Sequence, residues 1–76
     1  MKGGGDTMLY HERIREIRKK KGESQAMIAE LLGTTQQAYS DYERAKNEIP
    51  ASRIKLLCEH WNVSADYILG ITDQLK

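Results

Sequence analysis

The chain has 76 residues, 39% hydrophobic and 30% charged, which leaves room for one small domain and is not the profile of a disordered chain. A single cysteine excludes an internal disulfide, that cysteine and two scattered histidines lack zinc-ligand spacing, and no apolar run approaches the ~20 residues of a membrane span. Net charge is only +1, yet Arg13 to Lys21 holds six basic residues against Glu16 alone, and local fields rather than the total guide a partner's approach.

Residues 1–8, with Gly3-Gly4-Gly5 and no apolar signal-peptide core, read as a flexible leader. The expected location is the cytoplasm. One domain is expected over 9–73 and a short tail over 74–76. Alternating strand patterns are absent and the apolar period is helical throughout. Tyr10, Ile14 and Ile17 place one apolar stripe on a first helix at about 9–21, whose other faces carry the basic cluster and which Gly22 ends. Ser24 caps a second helix at about 25–32, with Ile28, Leu31 and Leu32 expected inward. Gly33 stops it. Thr35 caps a third helix at about 36–44.

Successive residues of a helix are turned by about 100°. On the third helix that angle gathers Ala38, Tyr39 and Tyr42 on one side, and Gln36, Gln37, Ser40, Asp41 and Arg44 on the other. Tyr39 and Tyr42 read as core anchors. Pro50 opens a fourth helix at about 51–61, striped by Ile54, Leu57, Cys58 and Trp61, with Cys58 expected to be a buried, inert thiol. Ser64 caps a short fifth helix, with Tyr67, Ile68 and Ile71 expected inward and Gly70 closing it. His11 and His60 are expected to be solvated. The fold class is therefore all-α, a compact five-helix bundle. No nucleophile–base pair or carboxylate cluster points to an enzyme. No cofactor, metal or small-molecule ligand is indicated.

The informative stretch runs from Gln25 to Arg44: two helices joined by Gly33-Thr34-Thr35, with small Ala29 where the helices must cross closely. The run from Ser24 to Glu43 resembles the Cro/repressor-type (Xre-like) helix-turn-helix family, and Thr34-Thr35-Gln36-Gln37 is similar to the turn and recognition-helix start of lambdoid phage repressors. Ile49-Pro50, the Ile54-Leu57-Trp61 stripe and the run Asn62 to Gly70 resemble the last two helices of the same family. The resemblance implies a lambda-repressor-like domain that binds double-stranded DNA as a homodimer and regulates transcription, most simply as a repressor.

Residue by residue, the resemblance puts the third helix in the major groove, with Thr35, Gln36, Gln37 and Ser40 toward base edges; a Gln amide pairs bidentately with adenine N6 and N7. It makes Gln25 a phosphate clamp and Arg44 and Lys46 further backbone contacts. It implies a structural ion pair between Arg18 and Glu43. Some residues depart from the pattern. Ala45 stands where glycine is usual, Glu23 replaces a common apolar residue and should loosen the corner between the first two helices, and Glu48 adds negative charge to a loop that is often basic. Asp41 would either accept from cytosine N4 or repel phosphate. An alternative function is a protein-interaction module, such as the antitoxin of a toxin–antitoxin pair. The Met27–Leu31 pair motivates it, as an apolar patch on a helix whose outer side is often polar.

Overall fold

The computed structural model describes residues 9–74. Five helices follow in order: α1 (Tyr10–Lys20), α2 (Gln25–Leu32), α3 (Gln36–Glu43), α4 (Ala51–Trp61) and α5 (Ala65–Leu69). No strand occurs among the described residues. The leader expected at 1–8, and residues 75–76 of the expected tail, lie outside the described residues.

Local chemistry sets the helix ends. Ser24, Thr35 and Ser64 each accept a hydrogen bond from the backbone N–H three residues on, at 3.1, 3.1 and 3.0 Å. Each hydroxyl thus satisfies one of the donors that a helix start leaves unpaired. α1 opens one residue later than expected. Leu9 lacks a capping oxygen, and Glu12 instead reaches back to accept from the Leu9 N–H at 3.2 Å.

α2 closes at Gly33, whose φ of 72° lets the Gly33 and Thr34 N–H groups return to the carbonyls of Glu30 and Ala29. α3 ends the same way with a less suitable residue. Ala45 has a φ of 62°, and its N–H and that of Lys46 return to Tyr42 and Asp41. The loop keeps the glycine-type turn, so the substitution changes the strain and not the path. An L-residue in the left-handed region costs roughly 1–2 kcal/mol.

The core gathers Ile14 and Ile17 from α1, Ile28, Ala29 and Leu32 from α2, Tyr39 and Tyr42 from α3, Ile49 from the loop, Leu57 and Trp61 from α4, and Ile68 from α5. α1 packs on α3 and α5, α2 on α3 and α4, and α4 on α5. Arg53 of α4 ties the turn down. Its Nε donates to the Leu32 carbonyl at 3.3 Å and its Nη1 to the Tyr42 hydroxyl at 2.7 Å. Polar bonds therefore reinforce the apolar contact on which α2 and α3 sit.

Several expectations change. Leu31 is 38% exposed and not inward, because Ile28, Ala29 and Leu32 already fill the face of α2 that meets the core. Ile71 is 70% exposed, since the chain leaves the bundle after Gly70. Cys58 is only half-buried, though burial still pushes its thiol pKa up and so keeps it in the unreactive form. Glu23 binds the corner where it was expected to loosen it. Its carboxylate accepts from Trp61 Nε1 at 2.8 Å and lies 2.8 Å from His60 Nε2; His60 is exposed as expected, with its ring tip against Glu23.

Candidate nucleic-acid interface

The two sides of α3 have opposite characters. Tyr39, Tyr42 and Glu43 are buried, and they fix the helix against α1 and α2. Gln36, Gln37 and the cap Thr35 are exposed, with Ser40 and Asp41 half-exposed beside them. Arg44 and Lys46 follow, both exposed. An eight-residue helix held along one side presents amides and hydroxyls on the other. Those groups have the donors and acceptors that base edges require.

At the α3 C-terminus lies a buried polar cluster. Arg18 Nε donates to Glu43 Oε2 at 2.7 Å, and Arg18 Nη2 to Oε1 at 3.1 Å. Arg18 Nη1 donates to the Glu23 carbonyl at 2.8 Å. The expected ion pair is thus a fork-to-fork contact that also pins the loop leading into α2. Burial works against the Glu43 carboxylate, but hydrogen bonds from Arg18 and Gln25 outweigh it and hold the carboxyl below its ordinary range. The bond to Glu43 in turn holds Arg18 more firmly protonated. The Tyr39 phenol lies beside this pair, and burial pushes its pKa up, so it stays neutral.

Gln25 connects this cluster to the surface. Its Nε2 donates to Glu43 Oε1 at 3.0 Å, which fixes the amide at the first turn of α2. One amide N–H remains, next to the backbone N–H groups that a helix start leaves without partners. The surrounding groove is lined by His11, Arg15, Gln25 and Arg44, and also by the acids Glu12 and Glu43, the latter neutralised by Arg18. Two guanidiniums flank a helix N-terminus there, and that chemistry suits an anion.

The basic run of α1 divides by function. Arg18 is spent on Glu43. Arg13 stacks 4.2 Å from the Tyr67 ring centroid and lies 3.9 Å from Asp73. Arg15, Lys19, Lys20 and Lys21 stay exposed. In the sequence Arg15 is only one member of that run; its place beside Gln25 comes from the fold. Its facing partner Arg44 lies 29 positions away in the chain, too far for helical periodicity to relate them.

Lys46 and Gln36 make no side-chain hydrogen bond among the described residues, whereas the Gln37 amide donates to Asp41 Oδ1 at 3.1 Å. Six of the seven candidate residues thus fall into two groups, Thr35, Gln36, Gln37 and Ser40 at the start and outer side of α3, and Gln25 with Arg44 at the groove, while Lys46 lies exposed in the loop outside both.

A five-helix bundle that displays a polar helix across a tight, capped turn defines a helix-turn-helix domain. The helix-turn-helix family profile matches residues 14–68, and the chain belongs to that family. It is 34% identical over 65 residues to the HTH-type transcriptional regulator YobD of Bacillus subtilis, over 86% of this chain and 58% of that protein. It is 34% identical over 64 residues to Repressor protein C2 of Salmonella phage P22, over 84% of this chain and 30% of that protein. In the crystal structure of the P22 c2 repressor protein in complex with a synthetic operator, the repressor is similar in fold, with a TM-score of 0.75 and 35% identity over 83% of this chain and 96% of that one. The chain spans 58% or less of the length of these two curated relatives.

Proposed function

We propose that this chain is a sequence-specific, double-stranded-DNA-binding transcriptional regulator, a repressor working as a homodimer in the cytoplasm. The observation that carries this reading is the outward side of α3, where Thr35, Gln36, Gln37 and Ser40 lie exposed or half-exposed while Tyr39, Tyr42 and Glu43 hold the opposite side. In this reading α3 lies in the major groove with its first turn toward base edges. Gln25, Arg15 and Arg44 take phosphates and set the register without reading sequence. The repressor and regulator names of the relatives, and the operator bound to the structural neighbour, support the same reading.

Two copies would place their α3 helices about one DNA turn apart, roughly 34 Å, on a palindromic site. Leu69 and Ile71, exposed at the end of α5 and just beyond it, supply apolar surface for the dimer contact. Selection from randomised duplex pools at fixed salt tests the reading. The expected product is a two-fold symmetric site. Binding that enriches no sequence and is weak to all duplexes rules the reading out.

A second reading, a protein-interaction module such as an antitoxin, draws on one observation: Met27 is 54% exposed and Leu31 lies one turn further along the same helix. Stoichiometric co-purification of an unrelated protein, combined with failed DNA selection, would favour it.

A further inference from the structure

The outward side of α3 carries one acid, Asp41, which the reading above leaves unused. A carboxylate beside phosphates opposes binding, because affinity for a duplex rests on neutralising its backbone charge. Asp41 is not isolated, however. Its Oδ1 accepts from Gln37 Nε2 at 3.1 Å, one helical turn away.

That bond has chemical consequences. An ionised carboxylate only accepts, so the contact fixes which end of the Gln37 amide carries nitrogen. It uses one of the two amide N–H groups. The carbonyl and a single N–H remain, with the second Asp41 oxygen as a further acceptor.

A free glutamine amide can turn both N–H groups toward the N7 and O6 acceptors of guanine. The paired amide has only one left, and the Asp41 charge would confront O6. Thymine O4 confronts the same carboxylate charge, and thymine has no major-groove donor to meet the amide carbonyl or the carboxylate. An exocyclic amine in the major groove, adenine N6 or cytosine N4, meets acceptors instead.

We propose that Gln37 and Asp41 act as one reading unit that selects a base with a major-groove exocyclic amine and rejects guanine and thymine at one operator position. This rests on the DNA-binding reading above. Asp41 is then a specificity-determining residue whose charge refuses the wrong edge. The logic is that of specificity by repulsion: the acid gives up some affinity for every sequence in exchange for discrimination at one.

Parallel selections from one randomised duplex pool, at one salt concentration, test this with the full chain and its Asp41→Asn, Asp41→Ala and Gln37→Ala variants. For the unaltered chain, guanine and thymine should be depleted roughly 5- to 100-fold at one position of the half-site. Asp41→Ala should lose that depletion, Gln37→Ala should lose the gain for adenine or cytosine at the same position, and both should keep the rest of the site. Asp41→Asn, which keeps the shape but adds donors, should admit guanine there. If both Asp41 variants instead bind every duplex more tightly with unchanged base preference, Asp41 acts only as a charge and the proposal is overturned while the DNA-binding reading stands. If the unaltered chain enriches no sequence, the DNA-binding reading fails and takes this proposal with it.

Discussion

Two carboxylates hold corners of the bundle, and they do so under different conditions. Glu43, its side chain 1% exposed, meets Arg18 in a two-pronged contact and also accepts from Gln25. Glu23, its side chain 16% exposed, accepts from the Trp61 indole and lies against His60, joining the approach to α2 with the end of α4. The first corner lies next to the proposed phosphate site, and the second is joined to it through the Glu23 carbonyl, which accepts from Arg18 Nη1 at 2.8 Å. Burial therefore costs Glu43 more than Glu23, but Glu43 has the stronger partner. One fold thus uses a charged lock where α1, α2 and α3 meet, and a neutral indole donor backed by His60 where the approach to α2 meets the end of α4.

Breaking the first corner should have the larger effect. Glu43→Ala leaves Arg18 half-buried without its partner, and the expected loss is about 3–5 kcal/mol in chemical denaturation. A loss under about 1 kcal/mol would mean that water replaces the carboxylate without penalty, contrary to the burial seen here. Glu23→Ala leaves the Trp61 N–H unpaired, with an expected loss of about 1–3 kcal/mol by the same method. A cost equal to that of Glu43→Ala would erase the distinction between the corners.

The backbone beside Glu43 gives a gain in place of a loss. Ala45 sits at a φ of 62°, so Ala45→Gly should stabilise the chain by about 1 kcal/mol, read as a higher denaturation midpoint. An unchanged or lower midpoint would show that the turn carries no strain.

Acid titration separates the corners by the smallest margin. Burial opposes the charge of both carboxyls, but hydrogen bonds from Arg18 and Gln25 to Glu43, and from Trp61 and His60 to Glu23, hold both below the ordinary value of 4.5. Protonation of the unfolded chain near 4.5 thus precedes that of the folded one. The contribution of each is complete above about 4.5 and is lost as pH falls through its lowered folded value. Denaturation midpoints from pH 6 down to 3 should fall for the unaltered chain and fall less steeply for Glu23→Gln. Identical slopes would remove Glu23 from the acid-sensitive set.

Much of the scaffold is legible because it is local. Ser24, Thr35 and Ser64 bond to groups three residues away, and Gly33 answers a turn that involves its immediate neighbours. Tyr39 and Tyr42 fall on one side of α3 by angle alone. α2 is harder to read, because Met27, Ile28, Ala29, Leu31 and Leu32 are apolar on more than one side of a short helix. Its pattern does not choose which arc is buried; contact with α3 and α4 does. The role of Glu23 is hidden from the sequence for a related reason. Its partners His60 and Trp61 are 37 and 38 positions on, and no periodicity reports a pairing of that range. The same distance effect hid Arg53, which reaches the Leu32 carbonyl and the Tyr42 hydroxyl. At the site, residue type made Gln36 and Gln37 visible. The fixing of Gln25 by Glu43, and of Gln37 by Asp41, became visible only with geometry.

The proposed function divides the labour: the start of α3 would read bases while the groove at Gln25 would hold the backbone. Affinities of the unaltered chain, Gln36→Ala and Gln25→Ala for a selected site and for a scrambled duplex, at one salt concentration, test it most directly. Gln36→Ala should shrink the ratio between the two duplexes by about 1–3 kcal/mol and leave binding to the scrambled one nearly unchanged. Gln25→Ala should weaken both alike and preserve the ratio. The reverse pattern, or a uniform loss for both variants, contradicts the claim.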